Sequence, residues 1–209
     1  MEEYLSEKEQ WERVLAWLRE QGPWMVAAVA VVALGTSGWR YWQAHGEQRD
    51  LQAAARYDQV LAAFSRNDIA GGLKLADALV ADFPSTPYAD QVDLAAARIQ
   101  VENKDLDRAA ARLAHVLSST KDAELALITR LRLARVQLAQ GKADLALSTL
   151  NAVDAGAFSA RYAEARGDAL LAKGDRDGAL KQYRSARSSG GDTLDTGLLD
   201  LKIGELARS

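Results

Sequence analysis

The sequence predicts an all-α protein, in which a single N-terminal transmembrane helix precedes an α-solenoid of about four helix pairs with a C-terminal capping helix. Three observations lead to this prediction. The chain is rich in Ala and Leu and contains only 3 Pro, a composition that favours helices over strands. One uncharged stretch lies near the N-terminus. Beyond it, apolar residues recur at helical spacing within a longer sequence repeat.

Charge and cysteine content exclude several classes of function. The formal net charge is -3, with 26 Lys and Arg against 29 Asp and Glu. A chain so nearly neutral has no strong electrostatic attraction for nucleic acid, and we expect no nucleic-acid partner. The absence of Cys excludes disulfides, thiolate metal sites and thiol catalysis.

Residues 22–42 are predicted to form a membrane anchor. No charged residue occurs between Glu20 and Arg40. A helix of about 18 residues spans about 27 Å, which is close to the roughly 30 Å hydrocarbon core of a bilayer. Aromatic and basic residues, which favour the membrane interface, flank this stretch. The predicted anchor residues are Trp24, Trp39, Arg40, Tyr41 and Trp42.

Two alternatives to an uncleaved anchor are a buried core helix and a cleaved signal peptide. A core helix is rarely apolar on all sides and bracketed by Trp. A signal peptide begins with basic residues and ends in small ones, whereas residues 1–21 carry six Glu and the apolar run ends in WRYW. The small residues of 35–38 (GTSG) keep the second alternative open.

Residues 1–21 are predicted to form a tail with a short amphipathic helix. Trp11, Leu15 and Leu18 share one face of that helix, which suits a membrane surface or a partner helix. Three Lys or Arg precede the uncharged apolar span and three follow it from Arg40 to Arg56. The distribution of positive charge therefore does not decide which end faces the cytoplasm.

Residues 43–209 are predicted to form a tetratricopeptide-type repeat domain. Segments that begin at Lys104, Gly141 and Gly174 align without gaps, and a weaker copy begins at Asn67, so the starts are 37, 37 and 33 residues apart. In each segment a turn residue is followed by a small residue and then by larger apolar ones, the pattern of this repeat. Chance similarity in an Ala-rich chain is the alternative. The amphipathic segment 193–207 is predicted to cap the array.

Close crossing of the two helices in each pair requires small residues at the facing positions. The predicted facing pairs are Val60 with Gly72, Ala97 with Ala109, Ala134 with Ala146, and Gly167 with Ala179. Seven of these eight residues are Ala or Gly, and Val60 is the exception.

The first helices of the pairs are predicted to line a groove that binds segments of other proteins, as repeat arrays do on their concave face. The candidate groove residues are Tyr57, Phe64, Arg98, Arg135 and Asp168, and with them Leu61, Leu94, Val101, Leu131, Leu138, Glu164 and Leu171. The alternative for the apolar members is that they form ordinary core between repeats.

No pattern in the sequence predicts catalysis, a cofactor or a metal site. His45 and His115 each lack a second ligand three or four positions away, so we expect a surface or hydrogen-bonded role for both. No phosphate-binding loop, nucleophile elbow or HExxH motif occurs. Asp105 and Asp175 stand at repeat turns, where capping of the following helix is favoured over catalysis. We therefore predict that the protein is not an enzyme.

Three segments resemble the YfgM family, ancillary subunits of the bacterial SecYEG translocon. They are GWRYWQAH (Gly38–His45), LRLARVQLAQGKADLAL (Leu131–Leu147) and RGDALLAKGDRDGAL (Arg166–Leu180). The resemblance implies a single-span inner-membrane protein with a cytoplasmic N-terminus and periplasmic repeats. It also implies association with SecYEG and with the periplasmic chaperone PpiD, in support of newly translocated, unfolded client proteins. The alternative function is a scaffold for a different cell-envelope complex.

Overall fold

The computed structural model describes residues 7–189 and 196–207, and every regular element within these ranges is helical. Side chains are described there except at 7–10, 13–14, 18, 20, 23, 26–27, 29–30, 38 and 41–45. The helices are α1 (Glu7–Ser65), α2 (Ile69–Asp82), α3 (Pro87–Glu102), α4 (Leu106–Ser119), α5 (Ala123–Ala139), α6 (Ala143–Asn151), α7 (Ser159–Ala172), α8 (Arg176–Ser189) and α9 (Thr196–Ala207), with a 3-10 turn at Gly156–Phe158. The predicted all-α class is confirmed over this part of the chain.

The chain divides into two compact units, residues 1–51 and 52–209. In the first unit, the described residues all belong to α1. The predicted tail helix and anchor are therefore one element, because α1 begins at Glu7 and has no break between them. Within the described residues, no helix contains a segment both long and apolar enough to cross a membrane.

The second unit is a succession of antiparallel helix pairs, each with its own small core. Each core cluster draws on three consecutive helices, so that every helix pair is covered by the next one. Ala97 of α3, Leu113 of α4 and Val136 of α5 share one such cluster. This nearest-neighbour packing is the property that defines a solenoid. The predicted pairing of helices is confirmed in the described residues.

The turns between paired helices have the same backbone conformation in all four pairs. Asn67, Lys104, Gly141 and Gly174 take φ of 60°, 63°, 76° and 83°. These are the four positions at which the sequence repeats were aligned. A single left-handed residue lets a helix end with its last carbonyls satisfied: Asp105 N donates to Gln100 O over 2.8 Å, as Lys142 N does to Gln137 O.

Aspartate caps begin three of the four second helices. Asp68 accepts from Gly71 N at 2.9 Å and Asp175 from Gly178 N at 2.9 Å. Asp105 accepts from Arg108 N at 3.4 Å. The predicted capping roles of Asp105 and Asp175 are thus confirmed. The N-cap residue of α6 is Lys142, whose side chain makes no capping hydrogen bond.

The predicted facing positions are buried in every helix pair. Ala97, Ala109, Ala134 and Ala146 are at most 2% exposed. A Cβ atom added at Gly72 would overlap the ring of Phe64. Position 72 must therefore be glycine because the ring of Phe64, one helical turn after Val60, packs against its backbone. The sequence pattern predicted a small residue here but not the contact with Phe64.

The capping helix predicted at 193–207 corresponds to α9, which begins at Thr196 in the described residues. Residues 193–195 lie outside the described part of the chain. Leu199 is 1% exposed and shares a core cluster with Tyr183 of α8. The helix therefore covers the last face of the array, as a terminal repeat requires.

Candidate protein-binding groove

The first helices of the first three pairs line a cavity of about 840 Å³. Its apolar lining lies within the second unit and comes from α1, α3 and α5, with Leu113 of α4 added. From the first three helices it includes Tyr57, Leu61, Phe64, Leu94, Val101 and Val136. Pockets of roughly 300–1,000 Å³ are large enough to hold a ligand or several side chains of a partner.

Helical spacing brings these side chains to one surface. Tyr57 is followed by Leu61 four residues later and by Phe64 seven residues later in α1, and α3 repeats this spacing at Leu94, Arg98 and Val101. Residues at these intervals share a helix face. Of the five groove residues predicted first, the structure brings Tyr57, Phe64, Arg98 and Arg135 to the same cavity, whereas Asp168 does not line it.

The apolar members divide between the groove and the core. Leu61 and Val101 are each 39% exposed, which is high for large aliphatic side chains that line a cavity. Leu131, in contrast, is 5% exposed, and Leu138 packs against the same core cluster. The core alternative therefore holds for Leu131 and Leu138, and the side chains of Leu61 and Val101 remain available for contacts.

Three arginines carry the charge of the groove. Arg98 Nε donates to Glu102 Oε1 over 2.8 Å, one helical turn away. Arg135 Nη2 lies 3.9 Å from Glu164 Oε2. Arg132 also lines the cavity. Sequence analysis missed Arg132, although it stands one turn before Arg135 on the same helix face and that spacing would have found it.

Asp168 belongs to a network that joins α7 to the capping helix. Lys202 Nζ donates to Asp168 Oδ1 over 2.8 Å and to Glu164 Oε1 over 2.9 Å. Tyr183 Oη donates to the same Asp168 oxygen over 2.8 Å. Lys202 Nζ also lies 5.4 Å from the centroid of the Tyr183 ring. The carboxylate that sequence reasoning assigned to a partner is thus bound by the chain's own lysine.

Burial and charge shift the pKa values in this network. Burial by itself lowers the pKa of Lys202, but its hydrogen bonds to Asp168 and Glu164 and their negative charges raise it, and the net effect is a raised pKa. Burial raises the pKa of the Tyr183 phenol, and the hydrogen bond to Asp168 raises it further. Both protons are therefore held more tightly in the folded chain.

A second polar cluster joins the first two helix pairs away from the groove lining. Asp93 is 3% exposed and its two oxygens lie 2.7 Å from Arg112 Nη1 and 2.7 Å from His115 Nδ1. Arg112 Nη2 donates to Asp77 Oδ1 over 2.6 Å. The expectation of a hydrogen-bonded His115 is confirmed, whereas the side chain of His45 lies outside those described.

The structure describes the side chains of three of the five predicted anchor residues. Trp24 and Trp39 are 77% and 66% exposed, and Arg40 is exposed. The side chains of Tyr41 and Trp42 lie outside those that the structure describes.

Comparison with known proteins decides the family. The tetratricopeptide repeat-like domain family matches residues 15–208. A Haemophilus influenzae protein named "Ancillary SecYEG translocon subunit" is 32% identical, over 97% of this chain and 98% of its own length. The chain belongs to the YfgM family. An Escherichia coli protein of the same name is 31% identical over 99% of this chain and all of its own length. The family resemblance read from the three sequence segments is thus confirmed.

Solved structures support the fold assigned to this YfgM-family chain. The structures titled "MamA RS-1 ArsTM double mutant" and "MamA 41-end from Desulfovibrio magneticus RS-1" each match with a TM-score of 0.56 over 75% of this chain. The matches cover 94% and 89% of those chains, at 17% and 16% identity. At such low identity the likeness concerns the helical repeat fold alone.

Proposed function

We propose that the chain is a non-enzymatic, membrane-anchored protein-binding subunit that works beside the SecYEG translocon. The observation that carries this proposal is the exposed apolar groove between α1, α3 and α5, in a chain whose relatives are named ancillary SecYEG translocon subunits. Large apolar side chains that stay exposed in a concave, polar-rimmed surface are typical of sites for another protein. Leu61 and Val101 have this exposure.

The anchor in this proposal is the 22–42 segment. Its support is the absence of charge between Glu20 and Arg40 and the exposure of its described apolar side chains. These are Trp24, Met25, Val31, Val32, Leu34 and Trp39. Exposed apolar surface costs roughly 25 cal/mol per Å² relative to burial, and a bilayer removes it from water. Trp and Arg at the edges suit the interface.

In the proposed topology, residues 1–21 are in the cytoplasm and the repeat domain is in the periplasm, on the exit side of the bacterial inner membrane. Translocated chains emerge on this side of the membrane. The partners in this proposal are SecYEG, a PpiD-like periplasmic chaperone and unfolded client proteins. An array of helix pairs supplies a long surface for such contacts without any chemical step.

Site-specific photo-crosslinking tests this function. A photo-crosslinking amino acid replaces Arg98 or Arg135 in the full chain in cells, and exposed Arg184 on α8 serves as the control position. We expect SecY or a PpiD-like chaperone to be captured from the groove positions and not from position 184. Capture of other envelope proteins alone would overturn the translocon role and favour the scaffold alternative.

A further inference from the structure

We propose that the groove selects acidic amphipathic segments of its partners, in which large apolar side chains enter the floor and neighbouring carboxylates pair with Arg98, Arg132 and Arg135. The inference rests on the proposed function and adds the chemistry of the occupant. Its basis is the charge of the groove: among the described charged residues that line it, three are Arg and one, Glu102, is acidic. The chain as a whole has a net charge of -3, so the positive groove is a local feature.

The existing partners of these arginines are exchangeable. The side chains of Arg98 and Glu102 are 80% and 52% exposed, and an exposed pair of this kind contributes little stability. Arg135 meets Glu164 only at 3.9 Å, and Arg132 makes no ion pair within the described residues. A partner carboxylate can accept two parallel hydrogen bonds from one guanidinium, a stronger geometry than any that Arg98, Arg132 or Arg135 has at present.

Two acidic residues of α7, the first helix of the last pair, are bound within the chain. There Glu164 and Asp168 of α7 both accept hydrogen bonds from Lys202 of the capping helix, and their side chains are only 14% and 34% exposed. The acidic end is therefore held by the chain's own lysine, whereas among the described residues the arginines have only weaker counter-ions, the exposed Glu102 beside Arg98 and Glu164 at 3.9 Å from Arg135. We therefore expect Arg98, Arg132 and Arg135 to determine which charge a partner must carry.

The exposed apolar lining of the groove indicates that the bound segment also carries large apolar side chains. Leu61 and Val101 line the same cavity as the arginines and Phe64, and each remains 39% exposed. A purely acidic peptide would leave this surface in water, and a purely apolar one would leave the guanidiniums unpaired. A segment that combines both satisfies the whole groove.

Two fluorescent peptides test the proposal on the full chain in mild detergent. They have about 15 residues, share the same Leu and Phe positions, and carry either Glu or Lys at all others, in keeping with helix-in-groove recognition. We expect the Glu peptide to bind at least about tenfold more tightly at low salt, and the difference to shrink at high salt. The double variant Arg98→Glu/Arg135→Glu should reverse the preference, and this gain of Lys-peptide binding also shows that the variant is folded.

Matched controls make the outcome specific. Lys181→Glu/Arg184→Glu makes the same change of charge at exposed positions of α8 and should leave the Glu preference intact. Leu61→Ser should weaken the Glu peptide several-fold, whereas Leu145→Ser, which changes a leucine 49% exposed outside the groove lining, should not. Equal binding of both peptides, binding of neither, or equal loss in the α8 control would overturn the inference. Capture of SecY by crosslinking would still stand, so failure of the inference is distinguishable from failure of the function.

Discussion

The ring of Tyr183 in α8 lies directly against the backbone of Gly167 in α7, where a Cβ atom would overlap two ring carbons. The corresponding clusters of the two preceding helix pairs contain Ala97 with Leu113, and Ala134 with Leu150. The last pair thus replaces an alanine and a leucine by a glycine and a tyrosine. The larger ring is accommodated by the loss of one methyl group.

This relationship predicts strong coupling between the two positions. Gly167→Ala should destabilise the fold by about 1–3 kcal/mol, because the added methyl group overpacks the tyrosine ring. In a Tyr183→Leu background, which itself loses the hydrogen bond to Asp168, Gly167→Ala should cost at least about 1 kcal/mol less, since the pair then matches the arrangement of the earlier pairs. Chemical unfolding of the single and double variants measures the coupling.

Gly204→Ala is the control for this substitution. Gly204 lies within α9 and an added Cβ atom would meet nothing within 4 Å. This variant should be neutral or more stable by up to about 1 kcal/mol, because Ala is the better helix former. If Gly167→Ala is no less stable than Gly204→Ala, the close approach of Tyr183 is wrong.

The repeated left-handed turns predict opposite effects for a reciprocal exchange. Lys104 and Gly141 occupy equivalent turns with φ of 63° and 76°, a region that costs a non-glycine residue about 1–2 kcal/mol. Lys104→Gly should therefore stabilise the chain by about 0.5–1 kcal/mol, after the greater freedom of glycine in the unfolded state is counted.

Gly141→Lys should destabilise by a similar amount, and steric contact contributes nothing to the loss because no atom lies within 4 Å of an added Cβ. Thermal melts should show the two variants displaced in opposite directions by about 2–4 °C per kcal/mol. A shift of both in the same direction would contradict the shared turn conformation.

The Lys202 network predicts a loss of stability at alkaline pH. The folded-state pKa of Lys202 is raised, so its contribution is complete below the unfolded value of about 10.4 and is lost as the pH rises through the folded value. The raised pKa of Tyr183 acts in the same direction. The wild-type chain should therefore lose stability above about pH 10, and Lys202→Met should flatten part of that decline.

At neutral pH, Lys202→Met should destabilise by about 1–2 kcal/mol, because two carboxylates lose their shared cation in a partly buried site. Lys173→Met is the matched control, since its ion pair with Asp144 is exposed and should contribute less than about 0.5 kcal/mol. Equal effects of both substitutions at neutral and alkaline pH would show that the Lys202 network is an ordinary surface contact.

The proposed topology predicts which single cysteines a membrane-impermeant reagent can label. The chain contains no Cys, so Ser188→Cys introduces one thiol at an exposed position of α8. We expect it to react with a membrane-impermeant reagent once the outer membrane is permeabilised. Ala16→Cys, exposed in the tail, should react only after the inner membrane is lysed. The reverse pattern would place the repeat domain in the cytoplasm.

Features that depend on neighbours along the chain were predictable from the sequence. The turn positions at Asn67, Lys104, Gly141 and Gly174 followed from alignment of the repeats, because a left-handed residue and an aspartate cap act within one helical turn. The convergence of Tyr57, Phe64 and Arg98 also followed, because residues four and seven apart share a helix face and equivalent helices stack side by side.

Only the tertiary structure decided which charges stay available to a partner. The repeat pattern assigned Asp168 to the groove in the same way as Arg98, yet Lys202, 34 residues further along the chain, binds Asp168 and not the arginine end. Likewise, Gly167 is explained only by the ring that packs on it from α8. The amino-acid sequence by itself determined the helices, their turns and the face each presents. Which side chains across that face meet depends on how distant helices pack, because electrostatic and steric contacts are set by distances in space and not by spacing along the chain.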